Sequence, residues 1–116
     1  VLDTWIASLP RWQAEENWRW LLRFAYQVIE KRGTGGSGFR AMYADFLLEA
    51  GAILPAVHAA NLVELMRCSA AAWSDLAALL KVSSELDVFP IHEIVAAIIR
   101  VKLHETQYVQ QVMSRL

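Results

Sequence analysis

The chain has 116 residues, which is the length of one domain, and with 56% hydrophobic residues it can bury a core without a metal or a disulfide. Only 20% of the residues are charged, so we expect a partner, a second copy or another domain to cover some apolar surface. The net charge of −1, from 11 basic and 12 acidic residues, excludes the electrostatic footprint of proteins that bind nucleic acid or anionic membranes.

Two features of the chain indicate its setting. Cys68 is the single cysteine and cannot form an internal disulfide, which predicts a reducing, cytoplasmic location. The chain begins with Val1 rather than methionine. We therefore expect residues 1–116 to form one helical domain that is a fragment, or the C-terminal domain, of a longer protein.

The first half of the chain predicts three helices. A short helix begins at Asp3 and is expected to stop at Pro10. A longer one is expected from about Trp12 to Arg32, with Gly33 as its C-terminal cap. A third is expected to start with Ser37 as N-cap and to end near Gly51 or Pro55. It would bury an apolar stripe made of Phe39, Met42, Tyr43, Phe46, Leu47 and Ala50.

The second half predicts two long helices. The pattern Leu62, Leu65, Met66, Ser69, Trp73, Leu76, Leu80 places one helix between about Pro55 and Leu86. Pro90 is expected to open a last helix that reaches Leu116. Because no period-two alternation occurs, the predicted fold is an all-α bundle of four main helices plus a short N-terminal one.

Four of the five glycines lie in the segment 33–38, between two predicted helices. Its spacing matches a dinucleotide fingerprint and half of a Walker loop, but a helix precedes it and Phe39-Arg40 follows it, so both motifs lack their context. Two readings stay open. The segment is a sharp turn that lets two helices pack closely, or its backbone N–H groups, with the nearby basic residues, hold a phosphate or carboxylate.

Other candidate chemistry is sparse. His92-Glu93 and His104-Glu105 begin like a zinc-protease motif, but each lacks the second histidine, so no metal is expected. His92, His104 and His58 are expected to be partly exposed, and Cys68 to be a buried small residue rather than a nucleophile.

Glu105 and the tryptophans are the other residues of interest. Glu105 is in line with an apolar stripe, so it either lies at the core rim beside Lys102 or pairs with Arg40 or Arg23 and anchors the glycine segment. The five tryptophans either form an aromatic ligand box or, as such residues more often do, anchor a core or an interface.

A resemblance is carried by Lys31-Arg32, the Gly-Thr-Gly-Gly run, Phe39-Arg40, and Tyr43 followed by Phe46-Leu47, with further support from Trp73, Leu76 and Ala77. Over about residues 15–116 the chain resembles a helical domain of unknown function that follows the N-terminal domain of butirosin-biosynthesis-H-like (BtrH-like) proteins. In that family the N-terminal domain is similar to a papain-type cysteine fold. The named member is an acyltransferase that moves an aminoacyl group from a carrier protein to an aminoglycoside.

The resemblance implies a non-catalytic accessory domain that packs against a catalytic domain of the same protein or a second copy, with an acyl carrier protein as a further partner. No catalytic residue, metal or cofactor is expected, nor a nucleic-acid or membrane partner. The alternative is a stand-alone module that binds a small anionic ligand, such as a phosphate or an acyl-pantetheine compound. Its candidate ligand residues are Arg32, Gly33, Thr34, Gly35, Gly36, Ser37, Gly38, Phe39, Arg40 and Tyr43.

Overall fold

A computed structural model describes residues 2–31, 39–55 and 61–115. Its described residues form helices joined by short connections and contain no strand, which confirms the predicted all-α bundle with a short N-terminal helix. The helices are α1 (Leu2–Ala14), α2 (Trp18–Glu30), α3 (Arg40–Ile53), α4 (Leu62–Ser83) and α5 (Ile91–Arg115).

The molecule is elongated, with principal extents of 51 × 25 × 16 Å. The two long helices, α4 and α5, pack along each other and form its spine. The helices α1 and α2 cover one end of this spine, and α3 packs on α4 at the other end. The bundle therefore has two ends with different cover.

The large core lies where α1 and α2 meet the spine. Eight of its residues are completely inaccessible to solvent, because four helices and the connection before α5 surround them. Trp5, Trp12, Trp18 and Trp73 pack around its edge. The buried residues of the large core are Leu9, Leu22, Ile29, Ala72, Leu76, Ala77, Leu80, Phe89, Ile94, Ile98 and Val101.

The small core lies at the other end, between α3, the beginning of α4 and the last part of α5. Its four buried residues are Ala44 and Leu47 from α3, and Leu62 and Met66 from α4. Tyr108 and Val112 of α5 pack against them and are only partly buried. The small core thus fixes α3 with much less buried apolar surface than the other end has.

The boundaries of the first two helices differ from the sequence prediction. The helix α1 continues through Pro10 to Ala14, although proline removes a backbone donor there. Burial of Leu9 beside it offsets that loss, because tertiary packing overrides local propensity. The predicted start of the second helix at Trp12 is likewise wrong, because the chain turns at residues 15–17 and α2 begins only at Trp18, whereas its end at Glu30 is close to the predicted one.

The later boundaries agree better. The helix α3 ends at Ile53, within the predicted range, whereas α4 begins at Leu62 rather than near Pro55. Ile94 N–H donates to the carbonyl of Pro90, so Pro90 opens α5 as predicted. The predicted caps Gly33 and Ser37 lie outside the described residues.

Candidate functional site

A hydrogen-bonded network joins three helices at the start of α3. The Glu105 carboxylate of α5 accepts from Nε and Nη2 of Arg40 of α3, at 2.9 and 2.6 Å to Oε1. The same oxygen accepts from the indole Nε1 of Trp73 of α4, at 2.9 Å. One carboxylate oxygen therefore holds α3, α4 and α5 together.

The partial burial of this network strengthens it. The Arg40 side chain is 35% exposed and the Glu105 side chain 21%, and both are less exposed than any side chain in the other ion pairs of the described residues. The guanidinium carbon of Arg40 also lies 5.2 Å from the centre of the Trp73 ring, within the range of a cation–π contact. Hydrogen bonds between ionised groups in such a place are stronger than neutral ones.

Two tyrosines extend the network along the α3–α5 contact. The rings of Tyr43 and Tyr108 meet edge to face, with centroids 6.4 Å apart. Burial, a hydrogen bond with Tyr43 and the nearby Glu105 carboxylate raise the pKa of Tyr108 to about 12. Tyr108 therefore stays protonated and neutral over the ordinary pH range.

Two open clefts flank the Arg40–Glu105 pair. The first has a volume of about 660 Å³ and contains Trp73, Lys102, Val109 and the first residues of α1 in its walls. The second, which we call the aromatic cleft, has a volume of about 310 Å³. Its walls are Phe39, Arg40, Tyr43, Met66, Glu105, Tyr108 and Val109.

The charges around the first cleft are paired. Lys102 Nζ lies 2.7 Å from Asp3 Oδ1, and Arg40 is engaged by Glu105. The hydrogen bond and the charge of Lys102 lower the pKa of the Asp3 carboxyl. An anionic ligand in this cleft would have to compete with two carboxylates for its cations.

The side of α3 that points away from α4 is apolar and exposed. The predicted buried stripe is wrong at four positions, since Phe39, Met42, Tyr43 and Phe46 are all exposed, with Met42 and Phe46 more than half so. Leu47 is buried as predicted, and Ala50 is half-buried. The helix has apolar residues on every side, so hydrophobic periodicity does not show which side faces the core. We call Met42, Asp45, Phe46, Glu49 and Ile53 the outward face of α3.

Of the ten candidate ligand residues, Phe39, Arg40 and Tyr43 lie among the described residues, and the structure brings all three to the aromatic cleft. Those of segment 32–38 lie outside the described residues, so the choice between a turn and an anion site stays a prediction. Phe39 itself adopts a left-handed conformation with φ of 73°, which is uncommon for a residue with a side chain.

Glu105 pairs with Arg40, which confirms one of the two partners named for it, while Arg23 lies 3.7 Å from Glu85. Trp73 was not predicted from the sequence as a donor to this carboxylate. Two signals were available in the sequence. One helix has a tryptophan among its core positions, another has an acid in line with apolar residues, and each of these side chains needs a polar partner.

Other candidate chemistry finds little support. Within residues 2–31, 39–55 and 61–115, no group of three metal-ligating side chains occurs. Cys68 is exposed, so its predicted burial is wrong, because its position on α4 points away from both cores. His92 is exposed and His104 is half-buried, as expected, whereas His58 lies outside the described residues. None of the described helices is long and apolar enough to cross a membrane.

The tryptophans favour the packing interpretation over a ligand box. The ring centroids of Trp5 and Trp12 are 6.0 Å apart. Trp18 meets Phe89 edge to face, with ring centroids 5.5 Å apart, and all four rings lie in or beside the large core. Trp20 is the exception, because it is exposed on α2 and stacks on Phe24.

Comparison with known families identifies the chain. Residues 2–112 match the model of a domain of unknown function, DUF4872, so the chain belongs to this family. No curated protein and no solved structure matches the chain. The family assignment agrees with a helical domain of unknown function.

Proposed function

We propose that this chain is a non-catalytic interaction domain and that the outward face of α3 is its docking surface. The observation that supports this most strongly is the mismatch between the composition of α3 and its cover. Ten of the fourteen residues from Arg40 to Ile53 are apolar, but only Ala44 and Leu47 are buried. A helix that is apolar on all sides is usually enclosed.

The hydrogen-bonded network and the small core hold the outward face of α3 in a fixed position. The Arg40–Glu105–Trp73 network fixes the first turn of α3 on the spine, and the small core fixes its middle. A docking surface that is held rigid before binding loses less entropy when its partner arrives. In our proposal the network therefore orients α3, and no catalytic role is assigned to it.

We further propose that the partner is the N-terminal catalytic domain of a BtrH-like acyltransferase or a second copy of this chain, and that an acyl carrier protein is a further partner. Three points support this. The chain belongs to a family of unknown function. The segment 29–47 is similar to the domain that follows such catalytic domains. The exposed apolar residues on α3 require cover in an assembly.

The docking role is tested by removing the apolar side chains of the outward face. The variant Met42→Ser with Phe46→Ser should lose most of its binding to a dye that reports apolar surface, and most of any self-association seen by light scattering. The matched control is Ile99→Ser with Leu103→Ser, because these two residues on α5 have the same spacing and similar exposure. Both variants should keep their stability within about 0.5 kcal/mol, as surface changes do.

Two results would contradict the docking role. An unfolding free energy reduced by more than about 2 kcal/mol in the α3 variant would show that Met42 and Phe46 are structural, as core truncations are. Equal loss of dye binding in the α3 variant and the control would show that the dye does not bind preferentially to the outward face of α3.

The alternative, an anion-binding module, has a separate test. Phosphate should then raise the melting temperature of the chain in a saturable way, and Arg40→Ala and Gly36→Ala should remove this rise. We expect only a general salt effect, because the Arg40 guanidinium is already bound by Glu105. A saturable rise that depends on Arg40 would replace the docking role by the binding role.

A further inference from the structure

We propose that the outward face of α3 docks on a protein surface that is apolar at its centre and carries basic side chains, and not on a second copy of this chain. This inference rests on the proposed docking role and, of the two occupants proposed there, selects a different protein over a second copy. The acidic residues among the apolar ones on this face indicate the chemistry of that partner.

Asp45 and Glu49 lie one turn apart on α3 and are both exposed. With 3.6 residues per turn, they share an arc of about 100° with Met42, Phe46 and Ile53. Among the described residues, neither carboxylate has an ion pair. The outward face therefore combines apolar contact area with two available negative charges.

The helix itself supplies no available positive charge to balance them. Its one basic residue, Arg40, lies on the side toward the spine and binds Glu105. The outward face of α3 thus carries two negative charges and no cation. A complementary partner has to bring cations, because electrostatic complementarity selects partners and suppresses wrong ones.

A symmetric pair of chains fits this face poorly. In a two-fold dimer the same patch of both copies meets, so Asp45 and Glu49 of one copy would approach those of the other. Four carboxylates would then share an interface to which neither α3 brings an available cation. Like charges in an apolar interface are costly, which makes a second copy the wrong occupant.

The aromatic cleft beside this face gives the partner a place for an apolar anchor. It holds about 310 Å³ between Phe39, Tyr43 and Tyr108, with Met66 in its wall. Such a volume accommodates one large apolar side chain, and interfaces depend on a few anchors of this kind. The partner chemistry is therefore an apolar anchor flanked by lysine or arginine.

The experiment uses two synthetic peptides with the same helical pattern of leucines, one with lysine and one with glutamate at all polar positions. Binding of each labelled peptide to the chain is measured by fluorescence anisotropy at low and high salt. We expect the lysine peptide to bind at least tenfold more tightly than the glutamate peptide, with a difference that shrinks as salt screens the charges.

Charge reversal locates the binding. In the variant Asp45→Lys with Glu49→Lys, the preference should reverse, so that the glutamate peptide binds more tightly. The control variant Glu15→Lys with Glu16→Lys makes the same change in net charge at two exposed residues outside α3, and it should keep the preference for the lysine peptide. Equal effects of the two variants would overturn the proposal.

The variant Met42→Ser with Phe46→Ser separates this proposal from the docking role. If it abolishes the binding of both peptides but charge reversal changes nothing, α3 docks its partner without regard to charge and the present proposal fails alone. If it leaves peptide binding unchanged, the docking role fails too. A dimer that forms at micromolar concentration and is lost in this variant would identify a second copy as the occupant and overturn the proposal.

Discussion

The two ends of the bundle differ in how completely other helices cover the spine formed by α4 and α5. At the large core, α1 and α2 enclose the spine, and residues such as Leu76 and Ile98 are fully buried. At the small core, α3 is the one helix among the described residues that covers the spine, and its outward face is exposed. The large core is enclosed on all sides by helices. The small core is not, because α3 has the apolar composition of a buried helix but leaves apolar side chains exposed.

This difference indicates a division of labour. The large core supplies most of the buried apolar area and hence most of the stability of the fold. The other end adds a polar latch, the Arg40–Glu105–Trp73 network, where apolar burial is scarce. Local stability should therefore fall from the large core toward α3.

The largest expected effect compares one leucine from each core. Leu76→Ala should lower the free energy of unfolding by about 3–5 kcal/mol, because it opens a cavity in a fully enclosed site. Leu47→Ala should cost about 2 kcal/mol, because the open surroundings of α3 relax around it. Urea denaturation checks both values, and equal losses would show that the two cores are equally complete.

The latch gives the next effect. Glu105→Gln should lower stability by about 1–2 kcal/mol, since it weakens three hydrogen bonds to a charged acceptor. The control is Asp75→Asn, which also alters an acid that pairs with an arginine across two helices, but at an exposed site. That change should cost less than about 0.5 kcal/mol. Similar losses in both variants would mean that the latch is an ordinary surface pair.

Alkaline titration gives a smaller effect at the same end. The pKa of Tyr108 is raised to about 12 in the folded chain from an ordinary value of 10.0, so the folded state retains this proton longer than the unfolded state. The associated stabilisation is present below pH 10 and is lost as the pH rises toward 12. NMR of the tyrosine rings should show Tyr108 titrating well above the ordinary tyrosine value of 10.0. Titration of Tyr108 at that ordinary value would contradict its described surroundings.

The smallest effect concerns the pair of Asp3 and Lys102 near the first cleft. The pKa of Asp3 is lowered in the folded chain, so its stabilisation is present above the ordinary value of 3.8 and is lost as the pH falls below it. Lys102→Met should return the pKa of Asp3 toward that value, as NMR of the carboxyl carbon would show, with no measurable change in melting temperature. A clear drop in melting temperature would show that this exposed pair is structural.

Periodicity predicted the all-α fold well where helices have one buried side. The Leu76 and Leu80 positions of α4 are buried as predicted, and Pro90 opens α5. It failed at α3, because a helix with apolar residues on every side gives no signal for which side packs inward. The helix-stop signal at Pro10 also failed, because the burial of Leu9 outweighs the tendency of proline to end a helix.

The candidate site could be predicted only in part. An acid among apolar residues needs a partner, and this reasoning named Arg40 for Glu105. The third member, Trp73, and the neighbours Tyr43 and Tyr108 come together only because side chains of α3, α4 and α5 meet at one end of the spine, which spacing within one helix does not contain. Met42 and Phe46 of the outward face were predicted to be buried, because the sequence of α3 does not show which side of the helix packs inward.

Native-state hydrogen exchange tests the central claim most directly, because it measures local stability along the whole chain. We predict that amides of α3 exchange through local opening at a lower free energy than those of the α4 and α5 segments in the large core. The leucine–lysine peptide should then raise protection in α3 and leave α2 unchanged. Uniform protection in all helices, or peptide-induced protection outside α3, would contradict the claim that the large core is enclosed and that α3 is the docking surface.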